Sequence, residues 1–358
     1  MRKAQATELV MAKLAQGTRH SYSTGWHQWT LFLKARGRDP VLLGKSAGER
    51  HDDEELLLDF IVHLALYMHR AAGTIQQRLF AVRYYHLVGG LEDPLKDKGR
   101  VWFALGGLRR LQGGRPRKRP VTRRMLRWLA RRLQGGTFDE QVLLAAILTA
   151  FFFLLRAGEY VSVDGKPWNA DRILCGKDVF ARKGGRPVAS FRDGDEVLVH
   201  IKSSKTDQYN LGCLRNHYRA GGEVCPVRAM EAVQRLAPER WGLEAHLPLF
   251  RRRSGRVLRR AEIQDMLAMA AIVEGFKPEE MGSHSLRIGG ATALYHTTQD
   301  IERVKRFGRW KSNAVHAYLW EAHEHQKGLA AAMAGDTARL IKREAMVRPA
   351  PAAAQGGR

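Results

Sequence analysis

Apolar residues recur along the first hundred positions at the spacing of a single helix face. In residues 17–37, "GTRHSYSTGWHQWTLFLKARG", Tyr22, Trp26, Trp29, Phe32 and Leu33 fall at i, i+4, i+7, i+10 and i+11. That spacing puts all five on one side of a helix. Residues 55–67 and 74–87 repeat the pattern, Gly89 and Gly90 close the second of these, and residues 101–111 supply a fourth or fifth helix. The texture then changes. Residues 109–132, "RRLQGGRPRKRPVTRRMLRWLARR", hold eleven Lys and Arg and no acid. Gly113, Gly114, Pro116 and Pro120 break any helix there, which predicts a domain linker over 112–121.

Beyond the linker the pattern predicts a buried helix over 141–155. It ends in "LLRAGEY", with Arg156 and Glu159 three residues apart at its rim. Short alternating runs follow, "DVFAR", "VASFR", "EVLVHIK" and "LGCLRNHY", separated by turn residues. A period of two between such turns is the mark of a small antiparallel sheet. Val197, Val199 and Ile201 point one way along the third run and Lys202 the other; Lys205 lies beyond it in the turn "SSKTDQYN". From Pro226 the chain reads as helical again. Residues 322–346 carry an apolar stripe of Leu329, Met333, Leu340 and Met346, and "VRPAPAAAQGGR" reads as a disordered tail. No internal repeat is visible. The expected fold is mainly α with a small antiparallel β-sheet, divided into residues 1–111, a linker 112–121, residues 122–346 and a tail 347–358.

Charge narrows the function. The 358 residues carry 60 Lys and Arg against 36 Asp and Glu, a formal net charge of +24. Such a field draws polyanions, of which nucleic acid is the commonest. The hydrophobic content of 44% is enough for real cores, which argues against a wholly disordered basic chain. Three cysteines, Cys175, Cys213 and Cys225, with no CxxC, fit a reducing compartment rather than a disulfide framework. Cys213, His217 and Cys225 match no usual zinc spacing, so no metal is expected. The longest apolar run, 142–155, is too short to span a bilayer, and the opening "MRKAQATELVMAKL" lacks the apolar stretch of a secretory signal. The expectation is an intracellular protein without a membrane partner, in the cytoplasm at the nucleoid or in a nucleus according to host.

Taken in order, Arg156 in "LLRAGE", Lys205 in "SSKTD", His284 and Arg287 in "HSLR", Gly308 to Trp310 in "GRW", and Tyr318 form a series. That series resembles the motif set of the tyrosine recombinases, the phage-integrase family. The block "HSLRIGGATALY…GRWKSNAVHAYL" is similar to members from mobile elements. Residues 74–94, "TIQQRLFAVRYYHLVGGLEDP", look like the helical core-binding domain of that family, and "GGLRRL" resembles the segment leading into its linker. The resemblance implies a two-domain, C-shaped clamp on double-stranded DNA and a homo-tetramer joining two DNA sites. It also implies no metal, nucleotide or other small-molecule cofactor. DNA contacts are expected from Arg19, Thr74, Gln77 and Arg78 in the first domain, from Arg115, Arg117, Lys118 and Arg119 in the linker, and from Lys202.

The chemistry explains the residue types. Breaking a phosphodiester without metal needs a nucleophile, a proton for the leaving oxygen and fixed positive charge around the phosphorus. The resemblance gives Tyr318 the attack, which leaves a 3′-phosphotyrosyl link. Neighbouring guanidinium groups favour a phenolate over a phenol. Arg156 and Arg287 are expected to grip non-bridging oxygens. His284, one turn before Arg287, donates a hydrogen bond or takes the tyrosine proton. Trp310 stands where many members carry His and has only an N–H to give. Lys205 is the family's general acid for the departing 5′ oxygen, and Glu159 fixes Arg156 or tunes His284. Trp310 and Tyr318 are eight residues apart where nine is frequent. Each residue alone has a plain structural reading: an ion pair at a helix end, a lysine in a polar turn, one packing tyrosine of nine. The ordered set outweighs those readings and points to site-specific recombination. An enzyme that only nicks and reseals, like a type IB topoisomerase, uses related residues, and a captured mobile-element protein that binds DNA without cutting would keep the same charge.

Overall fold

The computed structural model describes residues 9, 13–114, 117–163, 167–203, 207 and 211–320. The chain divides into two units, Met1–Pro116 and Arg117–Arg358, and the division falls inside the basic stretch read as a linker. Arg115, Lys205, the helix expected over 322–346 and the tail 347–358 lie outside the described residues.

The first unit is helical. α1 spans Gln16–Lys34, α2 spans Ala47–Val62 and runs into a π turn at His63–Tyr67, α3 spans Ala72–Val88 and α4 spans Gly99–Gln112. α2 starts eight residues earlier than its apolar periodicity suggests, because the Ser46 side chain accepts a hydrogen bond from the Glu49 amide and caps a polar first turn. Trp29, Phe32 and Leu33 are buried as their spacing predicts. The Trp29 and Phe32 rings each sit 5.1 Å from Phe60 of α2. Burying aromatic and aliphatic side chains of this size contributes about 2–3 kcal/mol apiece, and Leu57, Leu64, Ile75, Leu79, Val82 and Val101 extend that core. α1 and α3 touch at Gly25, where a Cβ would lie 2.7 Å from that of Ala81.

The second unit is built around one buried helix. Thr137 and Glu140 form a reciprocal cap that opens α6, Phe138–Phe152. Residues 142–151 of α6 are all buried, as befits a helix that is apolar all round. α5 (Arg123–Leu133), α7 (Pro226–Leu236) and α9 (His284–Thr298) pack on it. The helix stops three residues short of the sequence expectation because Leu154 adopts φ +50° and turns the chain back. Four antiparallel strands, β1 Val179–Lys183, β2 Arg186–Val188, β3 Glu196–Ile201 and β4 Cys213–Tyr218, lie in the order β2-β1-β3-β4. Val197, Val199 and Ile201 are buried, in keeping with the predicted alternation. The run "VASFR" is a strand only at its first residue. Gln234 of α7 donates to the Ala189 carbonyl and accepts from the Phe191 amide, both at 2.9 Å, and the Phe191 ring packs 5.3 Å from Trp241. Those contacts pull the run off the sheet. α8 (Arg260–Val273), α10 (Ile301–Gly308) and a 3-10 turn at Asn313–Tyr318 follow the sheet in the chain. Among the described residues, no helix is long and apolar enough to cross a membrane, and no group of His, Cys, Asp and Glu is arranged to hold a metal ion.

Candidate active site

The turn that ends α6 supplies the first half of the site. Past Leu154 the chain enters a 3-10 turn, Ala157–Glu159. Glu159 accepts from the Arg156 amide at 2.9 Å and from Arg156 Nη1 at 3.1 Å, so the acid fixes both the backbone and the side chain of that arginine. Glu159 is buried, whereas the Arg156 side chain keeps a quarter of its surface open. A second guanidinium shares the same carboxylate: Arg309 Nη2 lies 2.9 Å from Glu159 Oε2 and donates to the Leu154 carbonyl at 3.0 Å. Arg309 is held at φ +65°, and Leu154 at φ +50°. Left-handed backbone at residues other than glycine costs about 1 kcal/mol or more and collects at functional sites.

α9 supplies the second half. Gly290 lets it lie directly on the end of α6, where a Cβ would meet the Phe151 carbonyl oxygen at 2.2 Å, and Gly289 lets it lie on the backbone of Val121. One turn into α9, Arg287 is fully buried. Its Nη1 donates to the Leu154 carbonyl and its Nη2 to the Gly308 carbonyl, the latter at 2.5 Å, while its Nε has no acceptor. Burial first, then the like charges of Arg156 and Arg309, hold this guanidinium well below its usual range. Among the described residues, three arginines against the single Glu159 leave two positive charges in excess. His284 opens the helix. Desolvation of its ring, helped by Arg287 and Arg156, pushes its pKa down and favours the neutral imidazole, although the residue as a whole remains exposed.

Tyr318 closes the cluster. Its ring lies edge-on between His284, at 5.0 Å, and Trp310, at 4.7 Å, and the Arg287 guanidinium sits 5.8 Å away. Trp310 in turn covers Arg287 at 4.2 Å. The indole rests on Gly308 so closely that a Cβ there would fall 1.7 Å from the ring, which explains the glycine in "GRW". The backbone after the ring is held from two sides. Thr292 Oγ1 of α9 donates to the Tyr318 carbonyl at 3.0 Å and accepts from the Trp320 amide, and His296 bonds the Trp320 carbonyl at 2.8 Å. From the linker side, Arg117 donates to the carbonyls of Ala317 and Leu319, on either side of Tyr318.

The structure thus brings together six of the seven residues read as catalytic: Arg156, Glu159, His284, Arg287, Trp310 and Tyr318. The seventh, Lys205, lies outside the described residues. The residues read as DNA contacts are placed as follows. Lys202 Nζ pairs with Asp178 at 2.9 Å and touches Cys175 Sγ, facing the protein. Lys118 and Arg119 engage Glu279 and Glu280, and Arg119 also lies over Phe276. In the first unit, Arg78 Nη1 donates to the Ser21 carbonyl at 2.9 Å, Arg19 to Leu14, Thr74 is half-buried and Gln77 is exposed. Sequence reading missed Arg309, Thr292 and His296. It also missed Arg215 and His217 of β4, which bolt the sheet to the site: Arg215 donates to the carbonyls of Arg306 and Phe307, and His217 Nε2 lies 2.9 Å from the Phe152 carbonyl. The alternation of β4 marks which face these two occupy, but not what they meet.

No protein-family model and no curated protein matches the sequence. Solved structures do. The XerH site-specific recombinase bound to its palindromic difH substrate, a post-cleavage complex, aligns over 87% of this chain and 78% of its own, with 16% identity and a TM-score of 0.55. A lambda integrase dimer bound to a COC′ core site aligns over 89% and 96%, with 12% identity and a TM-score of 0.52. At such identities the likeness speaks for architecture, and with the helical first unit and the small antiparallel sheet it gives this chain the fold of the tyrosine recombinases and integrases.

Proposed function

We propose that this protein is a site-specific DNA recombinase that cleaves and rejoins double-stranded DNA through a 3′-phosphotyrosyl intermediate. The observation that carries the reading is the Tyr318 ring wedged between His284 and Trp310, beside three guanidiniums that outnumber their one carboxylate. In this reading the excess charge binds the scissile phosphate and stabilises the charge that builds on its oxygens. Neutral His284 accepts the Tyr318 proton as the phenol oxygen attacks phosphorus. The bond to the 5′ oxygen breaks, and Lys205 protonates that oxygen. Arg156, with open N–H groups, grips the phosphate directly. Arg287 supplies charge and holds the carbonyls of Leu154 and Gly308, and its remaining N–H groups are left for a phosphate oxygen. Trp310 orients the ring and an oxygen. The reverse attack by a 5′ hydroxyl reseals the strand, so neither metal nor nucleotide is consumed.

The solved relatives hold DNA, as a post-cleavage complex in one case and a core-site complex in the other, which supports duplex DNA as the partner here. The two units would then clamp a duplex, and recombination between two sites would need four protomers, with residues 322–346 as the proposed contact. The place of action is inside the cell, at a nucleoid or in a nucleus. Incubating the protein with duplex DNA in EDTA tests the reading: a covalent protein–DNA band should survive a denaturing gel without any metal. Loss of the band on chelation and its return with Mg²⁺ would contradict the mechanism. Relaxation of a plasmid that lacks any target site would favour a nicking-closing enzyme, and DNA binding without adduct a non-catalytic binder.

A further inference from the structure

α10 ends at Gly308, and Arg309 follows it in the left-handed conformation, at φ +65°. Glycine commonly takes that place after a helix, and a residue with a side chain is strained there. The strained backbone sends a long cation inward: the Arg309 side chain is 9% exposed, against 25% for Arg156. A buried ion pair is a poor source of stability, so neither the strain nor the burial is explained by folding alone.

The bonds around Glu159 supply a reason. Each carboxylate oxygen has two lone pairs to offer. Oε2 of Glu159 accepts from the Arg156 amide at 2.9 Å and from Arg309 Nη2 at 2.9 Å, so both of its lone pairs are engaged. Oε1 accepts from Arg156 Nη1 at 3.1 Å. Arg309 Nη2 also donates to the Leu154 carbonyl at 3.0 Å, which Arg287 holds as well, so Arg309 is braced against the end of α6. An arginine beside a carboxylate favours a two-pronged grip, one nitrogen on each oxygen. Arg156 is denied that grip, because Arg309 fills the second place on Oε2. We infer that Arg309 is a positioning residue: it confines the Arg156 side chain to one bond with Glu159 and so keeps the remaining N–H groups of Arg156 open to a phosphate. Without Arg309, Arg156 closes on both oxygens of Glu159 and withdraws from its quarter-open position. The inference rests on the recombinase reading, since it concerns how that site meets its substrate.

Single-turnover formation of the covalent adduct at saturating DNA tests it. The substrates are a duplex that the wild type cleaves and the same duplex with a methylphosphonate at the scissile position, whose methyl group removes the charge that Arg156 meets. On the ordinary phosphate Arg309→Gln should be slower by on the order of 10²-fold, the effect of misplacing a reacting-site group by about an ångström. Its half-saturating DNA concentration should stay within a few-fold of the wild type. On the methylphosphonate the gap should narrow by about tenfold or more, because less charge has to be met. Arg156→Gln, which lacks the guanidinium itself, should show the same narrowing. Arg309→Lys, which returns a donor to Glu159, should fall between Arg309→Gln and the wild type. Should Arg309→Gln fail to melt cooperatively, Arg309→Lys carries the comparison of the two linkages. A wild-type rate in the variant, or an equal loss on both linkages, would overturn the inference and leave Tyr318 as the nucleophile. Weaker affinity at an unchanged rate would overturn it too, by making Arg309 an ordinary DNA contact. A wild type that forms no adduct on any duplex would overturn the recombinase reading, and this inference with it.

Discussion

Gly308 shows how a single residue shapes the site. Its missing side chain is the floor on which Trp310 lies, and Trp310 both covers Arg287 and abuts Tyr318. Gly308→Ala should therefore displace the indole, cost about 1–3 kcal/mol as an overpacked contact, and depress covalent adduct formation far more than DNA binding. Chemical denaturation and a denaturing gel measure the two effects; an unchanged adduct yield would mean that Trp310 does not position the nucleophile. The residues that carry this cluster were legible because they come in a fixed order with fixed chemical types. Arg309 was not. Nothing in its local pattern marks it, and its reach to Glu159 depends on a left-handed backbone that appears only once α10 ends. Thr292 and His296 were hidden for a similar reason. They read as ordinary positions of α9, and only the return of the chain at 318–320 gives them something to hold.

Among the elements, the linker and Lys202 at the end of β3 depart most from expectation. A basic strap free to lie on phosphates was expected over 112–121, yet its second half is tied down. The Arg119 amide bonds the Glu280 carbonyl at 2.9 Å, the Val121 amide bonds the Ser285 carbonyl at 3.0 Å, and Arg117 brackets the Tyr318 turn. Charge composition cannot separate a strap on DNA from one that props up a neighbouring turn; the carbonyls it meets are far away in sequence. Arg117→Ala should slow adduct formation at saturating DNA while leaving affinity within a few-fold, and rescue by Lys should be partial. A loss of affinity with an unchanged rate would return Arg117 to the phosphate backbone. Past β3, Lys202 is committed to Asp178, which leaves Lys205 as the proposed acid. Lys205→Ala should be slower by roughly 10²–10⁴-fold on ordinary DNA. It should be nearly normal where sulfur replaces the bridging 5′ oxygen, since that leaving group needs no proton. Lys202→Ala should lower stability without showing that rescue. Rescue of Lys202→Ala in place of Lys205→Ala would reverse the assignment.

For the whole molecule, charge and titration set the conditions of use. A clamp that touches some six to ten phosphates should lose about 10³–10⁵-fold in affinity between 50 and 200 mM salt, and a much flatter dependence in a binding titration would rule out an extended backbone contact. Acid should weaken each unit through a histidine, buried His86 in the first and half-buried His217 in the second. His86 bonds the Val82 carbonyl and the Leu42 amide, His217 bonds the Phe152 carbonyl, and burial lowers both pKa values. The folded state then binds fewer protons than the unfolded one, so this stability is complete above the ordinary histidine pKa of about 6.5 and falls as pH drops below it. The slope reaches at most about 1.4 kcal/mol per pH unit for each proton. Urea midpoints from pH 7.5 to 5 should show the decline, and His217→Asn should make it shallower. The helices of the first unit, the buried α6 and the small sheet could be read from periodicity, whereas α5 was hidden inside the basic stretch taken as helix-breaking. The ends of α6 and of β2 could not, because Leu154 and Gln234 set them through contacts made only in the folded chain.

In the proposed mechanism the Tyr318 hydroxyl forms the bond to DNA, and one substitution addresses it. Tyr318→Phe removes a single oxygen and leaves the ring between His284 and Trp310, so folding and duplex binding should match the wild type. On a denaturing gel the covalent protein–DNA band should vanish. A normal band from the Phe variant would rule out Tyr318 and move the nucleophile elsewhere.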